Sequence, residues 1–126
     1  MKLFMTIFLT LFAFEAFAED NMLNESQYKY VKESIGKGKP YFLEVGAKSC
    51  NSCEIMSNML YRVTQKYPEY NIHFINVKKE REVARSLKVM MIPTQIIYDK
   101  DGKEVYRHIG VLGTDELYKL FKTYKF

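Results

Sequence analysis

The hydrophobic pattern of residues 41–77 most constrains what this 126-residue chain can fold into. Short, mostly apolar runs at residues 41–45 and 72–77 predict two strands. Between them, apolar side chains recur at steps of three and four, which predicts a helix from near Cys50 to Pro68. A helix of that length between two strands is typical of a parallel crossover. The recurring positions are Cys53, Met56, Leu60, Val63 and Tyr67.

Two further helices are predicted on either side of this crossover. Asn24 and Gln27 form a candidate capping box for a first helix, which Gly36 ends. Residues 79–87 have weaker helical spacing and predict a third helix after the second strand. The order up to this point is therefore α-β-α-β-α.

The last third of the chain predicts a hairpin and a final helix. Residues 94–98 and 103–109 are predicted strands, and Gly102 in the turn between them can adopt a positive φ. Thr114 is predicted to cap the last helix. The complete order, α-β-α-β-α-β-β-α, predicts an α/β domain with a mixed central sheet flanked by helices.

The first 18 residues have the organisation of a secretory signal peptide. Lys2 precedes an apolar run at residues 3–14, and residues 16–18 form a small-x-small cleavage site. As a helix this run reaches about 18 Å, which is less than the roughly 30 Å of a bilayer core and disfavours a membrane anchor. We expect a signal peptide at residues 1–18 and one domain at residues 19–126, in a compartment that permits disulfides.

Charge and composition exclude several classes of protein. The formal net charge is +4, from 19 basic and 15 acidic side chains, but no block of Lys or Arg indicates a nucleic-acid partner. Interspersed charges and an aromatic content of 15% exclude a disordered chain. Roughly 110 residues beyond the leader support one hydrophobic core, which excludes a multidomain enzyme.

The chain has only two cysteines, Cys50 and Cys53, placed where the first strand ends and the second helix begins. As a structural crosslink they would close nearly the shortest possible loop and stabilise the fold little. Glu54 stands where a haem-attachment motif needs His. The two histidines, His73 and His108, lack the paired spacing of a zinc site. Redox chemistry is therefore the favoured interpretation.

Position within the helix assigns different roles to the two thiols. Cys50 faces the unsatisfied N–H groups of the first helical turn, which lower the pKa of a thiol, and Lys48 could add to this effect. Cys50 is therefore the expected attacking thiol. Cys53 lies one turn later on the apolar face and is the expected buried resolving thiol.

Two other residues have both a functional and a structural interpretation. Glu44 lies within an apolar strand, where burial would raise the pKa of its carboxyl and suit it to move a proton to or from Cys53. Alternatively, Glu44 points to solvent at a sheet edge. Pro93 precedes a predicted strand, and because most X-Pro bonds are trans, the residues alone favour an ordinary strand start.

The combination of these features resembles the thioredoxin superfamily over residues 24–126. The features are a strand with a buried acid, Cys-x-x-Cys at a helix start, and Ile-Pro-Thr before a hairpin. The resemblance implies the thioredoxin fold, with Pro93 in the cis form against the disulfide and the Ile92 backbone pairing with a bound substrate strand. It also implies that Gly110 lets a partner's backbone approach, and that Glu44 occupies the family's buried acidic position.

Together with the leader, the resemblance implies a periplasmic thiol:disulfide interchange protein. Its expected partners are cysteine-containing exported proteins and a membrane redox partner. We expect a monomer that is not inserted in the membrane and needs no cofactor or metal. The thioredoxin-type Ile92 favours the reductase direction, for example in cytochrome c maturation or periplasmic disulfide reduction. Ser49 replaces the usual aromatic residue, and Asn51-Ser52 replaces Gly-Pro.

An alternative from another class is a periplasmic Cu(I)-binding chaperone with the same fold. Cys50 and Cys53, helped by Met56 and Met59, would supply the soft sulfur ligands that Cu(I) prefers. The spacing of the two methionines fits a place in the hydrophobic core equally well.

Overall fold

Eight elements follow one another in the order that the hydrophobic pattern predicts. The computed structural model describes residues 21–126, so the predicted signal peptide at residues 1–18 lies outside the described residues. The helices are α1 (Tyr28–Ser34), α2 (Asn51–Lys66), α3 (Arg81–Ser86) and α4 (Thr114–Thr123). The strands are β1 (Tyr41–Gly46), β2 (Ile72–Asn76), β3 (Thr94–Tyr98) and β4 (Glu104–Ile109).

The four strands form one mixed sheet in the order β2-β1-β3-β4. β1 pairs in parallel with β2 through the crossover helix α2, and antiparallel with β3. β3 and β4 form the predicted antiparallel hairpin, and Gly102 in its turn has a φ of 89°. The predicted α/β architecture with a mixed sheet flanked by helices is confirmed.

Strand β1 is buried along its whole length because helices cover both faces of the sheet. Phe42 points to the face covered by α2 and α4, where it packs in one core cluster with Leu60 and Phe121. Leu43 points to the opposite face, in a second cluster with Val31 of α1 and other buried side chains. Because side chains alternate along a strand, Glu44 and Gly46 lie on the same face as Phe42.

The predicted capping box at the first helix is wrong. α1 begins at Tyr28, and Gln27 occupies the N-cap without a side-chain hydrogen bond. The segment that contains Asn24 is extended instead, because Ser26 N donates a 2.7 Å hydrogen bond to Phe74 O at the edge of β2. Tertiary pairing with the sheet therefore overrides the local capping signal.

The predicted cap of the last helix is displaced by one residue. Gly113 occupies the N-cap of α4, and Thr114 is the first helical residue. The hydroxyl of Thr114 lies 3.6 Å from the sulfur of Met59 on α2, so it faces the neighbouring helix.

Within residues 21–126, no helix is both long and apolar enough to cross a bilayer.

Candidate active site

The two cysteines stand at the start of α2, just beyond the carboxyl end of the central strand β1. Cys50 is the N-cap residue, with extended backbone at φ −119° and ψ 118°. Its sulfur accepts a hydrogen bond from Cys53 N, with an N···S distance of 3.3 Å. Both cysteines are free thiols; Cys50 is partly exposed, whereas Cys53 is buried. Only Cys50 is thus open to a partner.

Hydrogen bonds and burial give the two thiols different pKa values. Partial burial opposes the Cys50 thiolate, but hydrogen bonds from Cys53 and Ser52 outweigh it and lower the pKa of Cys50. The hydroxyl of Ser52 lies 3.3 Å from the Cys50 sulfur. Burial, together with the hydrogen bond to Cys50, raises the pKa of Cys53 to about 12. A thiolate therefore forms first at the exposed sulfur, where attack on a disulfide is possible.

Lys48 is paired with an acidic residue. Its Nζ lies 3.9 Å from Oε1 of Glu25, so its charge is directed to that carboxylate. At the position next to Cys50, where the family resemblance leads one to expect an aromatic residue, the hydroxyl of Ser49 accepts a hydrogen bond from Lys78 Nζ. Hydrogen bonds from Cys53 and Ser52 at the helix terminus lower the pKa of the attacking thiol.

Glu44 is buried beneath the cysteines, with 1% of its surface exposed. The alternative in which it points to solvent is therefore wrong. Burial raises the pKa of the Glu44 carboxyl well above its usual range, and the charge of Cys50 adds to this rise. Gln95 Nε2 lies 3.3 Å from each carboxylate oxygen and opposes the rise. In turn, the Glu44 charge contributes to the high pKa of Cys53.

Gly46 is a site residue that the sequence pattern did not single out. A Cβ atom at this position would lie 3.1 Å from the Cys53 sulfur and 3.4 Å from Cε2 of Phe74. A side chain at the last residue of β1 would therefore crowd Cys53 where it packs against the strand. The available signal was a glycine directly after the apolar run at residues 41–45, because glycine at a strand often marks a close approach of another group.

The predicted substrate-binding residues lie on two adjacent loops. The Ile92–Pro93 peptide bond is cis, as the resemblance implies. Gly110 N donates a 2.8 Å hydrogen bond to Pro93 O, which holds the two loops together. Gly110 has a φ of 98°, and apart from its own residue and its two chain neighbours no atom lies within 4 Å of the place where its Cβ would be. Space is therefore open for another chain beside Gly110.

Exposed apolar side chains flank the same segments, and we call this set the apolar rim. They precede Pro93, adjoin Gly110 on both sides, or follow Cys53 on α2. Their exposed fractions range from 39% to 95%. The members are Ile55, Met90, Met91, Ile109 and Val111.

Gln95 and His108 are further polar residues that the sequence pattern did not assign to the site. Gln95 is fully buried in β3, next to Glu44, and its Oε1 lies 2.8 Å from His108 Nδ1. The signal for Gln95 was an amide inside an otherwise apolar strand. Sequence reasoning considered His108 only as a zinc ligand.

The described part of the chain gives no support to the copper alternative. Residues 21–126 contain no group of three or more His, Cys, Asp or Glu side chains that could hold a metal ion. Met56 is fully buried in the core, where its sulfur accepts a hydrogen bond from Leu112 N at 3.4 Å. Its burial fits the structural interpretation of the methionine spacing.

Comparison with known proteins agrees with this geometry. A family model described as a thioredoxin-like domain matches residues 28–125. The chain belongs to the thioredoxin-like family. It is therefore a member of a family of thiol–disulfide oxidoreductases, with its two cysteines close together at one helix terminus.

Similar proteins of this thioredoxin-like family come from several different organisms. The thioredoxin of Chlamydia trachomatis is 29% identical over 93 residues, which cover 74% of this chain and 89% of that protein. A prophage-derived thioredoxin-like protein of Bacillus subtilis is 37% identical over 76 residues, covering 59% of this chain and 85% of that protein. The solved structure of a Nicotiana alata thioredoxin matches with a TM-score of 0.68 at 26% identity, over 79% and 87% of the two chains.

The contact between Gly46 and Cys53 predicts a stability cost for a single methyl group. Gly46→Ala is expected to lower the free energy of unfolding by about 1–3 kcal/mol in urea denaturation, because the added carbon crowds the Cys53 sulfur. Gly113→Ala is the control, since its Cβ meets no atom within 4 Å, and its cost should stay below about 1 kcal/mol. Equal costs for both variants would contradict the crowding.

Burial of Glu44 predicts a pH-dependent stability. Because its pKa is raised on folding, stability is lost as pH rises through the folded-state pKa, and no loss occurs below the unfolded value of about 4.3. Each unit of raised pKa corresponds to about 1.4 kcal/mol of loss. Glu44→Gln, which cannot ionise, is therefore expected to raise the free energy of unfolding at pH 8 and to lose that gain near pH 4.

Urea denaturation at the two pH values measures this effect. Glu33→Gln on α1 is the matched control, because Glu33 is exposed and its replacement should change stability by less than about 0.5 kcal/mol at either pH. A gain for Glu44→Gln that is equal at pH 4 and pH 8 would contradict the burial of an ionisable carboxyl.

Proposed function

We propose that the protein is an exported oxidoreductase that reduces disulfides of other exported proteins with its Cys50–Cys53 dithiol. One observation carries the proposal: the sulfur that caps α2 is partly exposed and has a lowered pKa, while the second thiol is buried above a carboxyl. This asymmetry suits a dithiol whose two members act in sequence.

The first step is attack of the Cys50 thiolate on one sulfur of a target disulfide. A new S–S bond joins Cys50 to the target, the target's own S–S bond breaks, and its second sulfur leaves as a thiolate. Capping by Cys53 N favours the thiolate before attack. The same hydrogen bond makes Cys50 a good leaving group when the mixed disulfide is resolved from the target side.

The second step is resolution by Cys53. Its thiol passes its proton to the Glu44 carboxylate, and the resulting thiolate attacks the Cys50 sulfur. The Cys50–Cys53 disulfide forms, the mixed disulfide breaks, and the target sulfur that was bonded to Cys50 leaves and takes a proton. The target has gained two electrons and the protein has lost two. With only two cysteines in the chain, a separate redox partner must reduce the pair again.

The loops around the cysteines supply a surface for the target. The Ile92 backbone, which precedes the buried Pro93, is assigned to pair with an extended target segment. Gly110 leaves room for the target's backbone on the other side. The apolar rim would cover the side chains that flank the target cysteine.

Export and direction rest on the sequence. Residues 1–18 have the order of a secretory signal, and an oxidising compartment supplies disulfides on which the dithiol can act. Ile92 before Pro93 is the thioredoxin-type pairing and favours the reductase direction. We assign the mature domain to the periplasm as a monomer outside the membrane, recharged by a membrane redox partner and acting on exported thiol proteins such as apocytochrome c.

Trapping variants test chemistry and location together. Produced with residues 1–18 in a bacterial host, Cys53→Ser is expected in the periplasmic fraction, joined to exported proteins by mixed disulfides, because it can attack but not resolve. Cys50→Ser is the matched control and should form none. In vitro, the reduced wild-type protein should reduce the disulfides of insulin, whereas Cys50→Ser should not.

Each part of the proposal has its own contradicting result. Retention of the protein in the cytosol would overturn export. Mixed disulfides formed by Cys50→Ser instead of Cys53→Ser would reverse the roles of the two thiols. A wild-type protein that leaves insulin intact would overturn the reductase activity.

A further inference from the structure

A row of polar side chains crosses three strands beneath the cysteines. Glu44 of β1 stands opposite Gln95 of β3, and Gln95 stands opposite His108 of β4. Directly opposed residues of antiparallel strands project to the same face, so all three share the face that α2 covers. Glu44 and Gln95 are buried, at 1% and 0% exposure, whereas His108 on the edge strand is half-buried.

Hydrogen bonds join the row from end to end. Gln95 Nε2 lies 3.3 Å from both oxygens of Glu44, so the amide N–H groups face the carboxylate. Oε1 of Gln95 then faces His108 Nδ1 at 2.8 Å. Because a carbonyl oxygen can only accept, Nδ1 must carry the hydrogen of this bond. No buried side-chain nitrogen or oxygen within residues 21–126 is left without a partner.

We propose that Gln95 and His108 are positioning residues for the exchange reaction: His108 fixes the orientation of the Gln95 amide, which keeps the Glu44 carboxylate ready to accept the Cys53 proton. The inference rests on the proposed function, since it concerns the resolving step of that reaction. It assigns to Gln95 and His108 a role that is exerted through Glu44.

The orientation of Gln95 matters because its amide has a donor group, Nε2, and an acceptor group, Oε1. A reversed Gln95 would turn its carbonyl oxygen toward the carboxylate, which is a repulsive contact, and its N–H groups toward Nδ1 of His108, which could accept them only in the other tautomer of the imidazole. The His108 bond disfavours that reversal. With Gln95 Nε2 held in place, the ionised Glu44 carboxylate keeps a hydrogen-bond donor. In the resolving step, the proton that leaves the Cys53 sulfur is taken up by this carboxylate.

Glu44 is linked to titratable groups on two elements. Cys50 and Cys53 face it from the start of α2, and their charges are coupled to its own. From β4, His108 reaches it through Gln95. On β2, the residue paired with Glu44 is the apolar Phe74. The hydrogen-bonded path from His108 to Glu44 runs through the Gln95 amide.

Reaction of the reduced protein with dithiobis(nitrobenzoate) separates the two steps. The first thionitrobenzoate is released when Cys50 attacks, and the second is released when Cys53 resolves the mixed disulfide. Stopped-flow absorbance between pH 5 and pH 9 gives both rates. Cys53→Ser, which should release only one equivalent, identifies the second phase.

Loss of the amide donor should slow only the second phase. In Gln95→Leu at pH 7, the second rate is expected to fall roughly tenfold, as for loss of a hydrogen bond to a charged group. The midpoint of its pH profile should move to higher pH, because ionised Glu44 loses its donor. The first rate should stay within about twofold of the wild-type rate.

Variants at His108 test the outer end of the row. His108→Phe should slow the second phase and move its midpoint in the same direction. His108→Asn should recover most of that loss, because its Nδ2 can donate from near the place of Nδ1. His73→Phe is the matched control, since His73 stacks on Tyr41 on the opposite face of the sheet and its loss should leave the second phase unchanged.

The outcomes separate this inference from the proposed function. A second phase with wild-type rate and midpoint in His108→Phe, or an equally slow His108→Asn, would overturn the positioning role. A wild-type protein with no second release would overturn the exchange chemistry itself. If Gln95→Leu does not fold, the His108 variants still test the inference, because His108 is only half-buried on the edge strand and its replacement disturbs the core less.

Discussion

The N–H groups at the start of α2 need an acceptor, and the sulfur of Cys50 supplies it. Helix termini leave such donors unpaired, and most proteins satisfy them with an oxygen from Ser, Thr, Asp or Asn. Here the acceptor is a thiol, so the bond that begins the helix also favours the thiolate. The start of the helix and the reactivity of Cys50 depend on this one contact, and the packing around Cys53 makes the second thiol different from the first.

That difference comes from burial, which has a cost in stability. Cys53 lies against Gly46, where a Cβ atom would be crowded, and Glu44 lies beneath it without access to water. A buried carboxyl opposes folding when it is charged, and an apolar residue at position 44 would pack without that penalty. The retained acid is consistent with its proposed use as the proton acceptor of Cys53. Gln95 limits the penalty by donating to both oxygens.

Much of this arrangement could be predicted from the sequence, because apolar periodicity sets the element order and the thiol pair marks the start of α2. The features that the sequence did not predict depend on contacts between residues that are far apart in the chain. Asn24 lies in a segment that pairs with β2, and Lys48 turns to Glu25. The row from Glu44 to His108 depends on strand register across β1, β3 and β4, which no local pattern contains.

A ¹³C NMR titration of the reduced protein with labelled cysteine Cβ atoms tests the central claim most directly. It follows the ionisation of Cys50 and Cys53 separately within one molecule. The account predicts that Cys50 ionises first, below the usual range of about 8.5 for a free thiol, while Cys53 stays protonated throughout that transition. Ionisation of Cys53 first, or of both thiols together near the ordinary value, would contradict it.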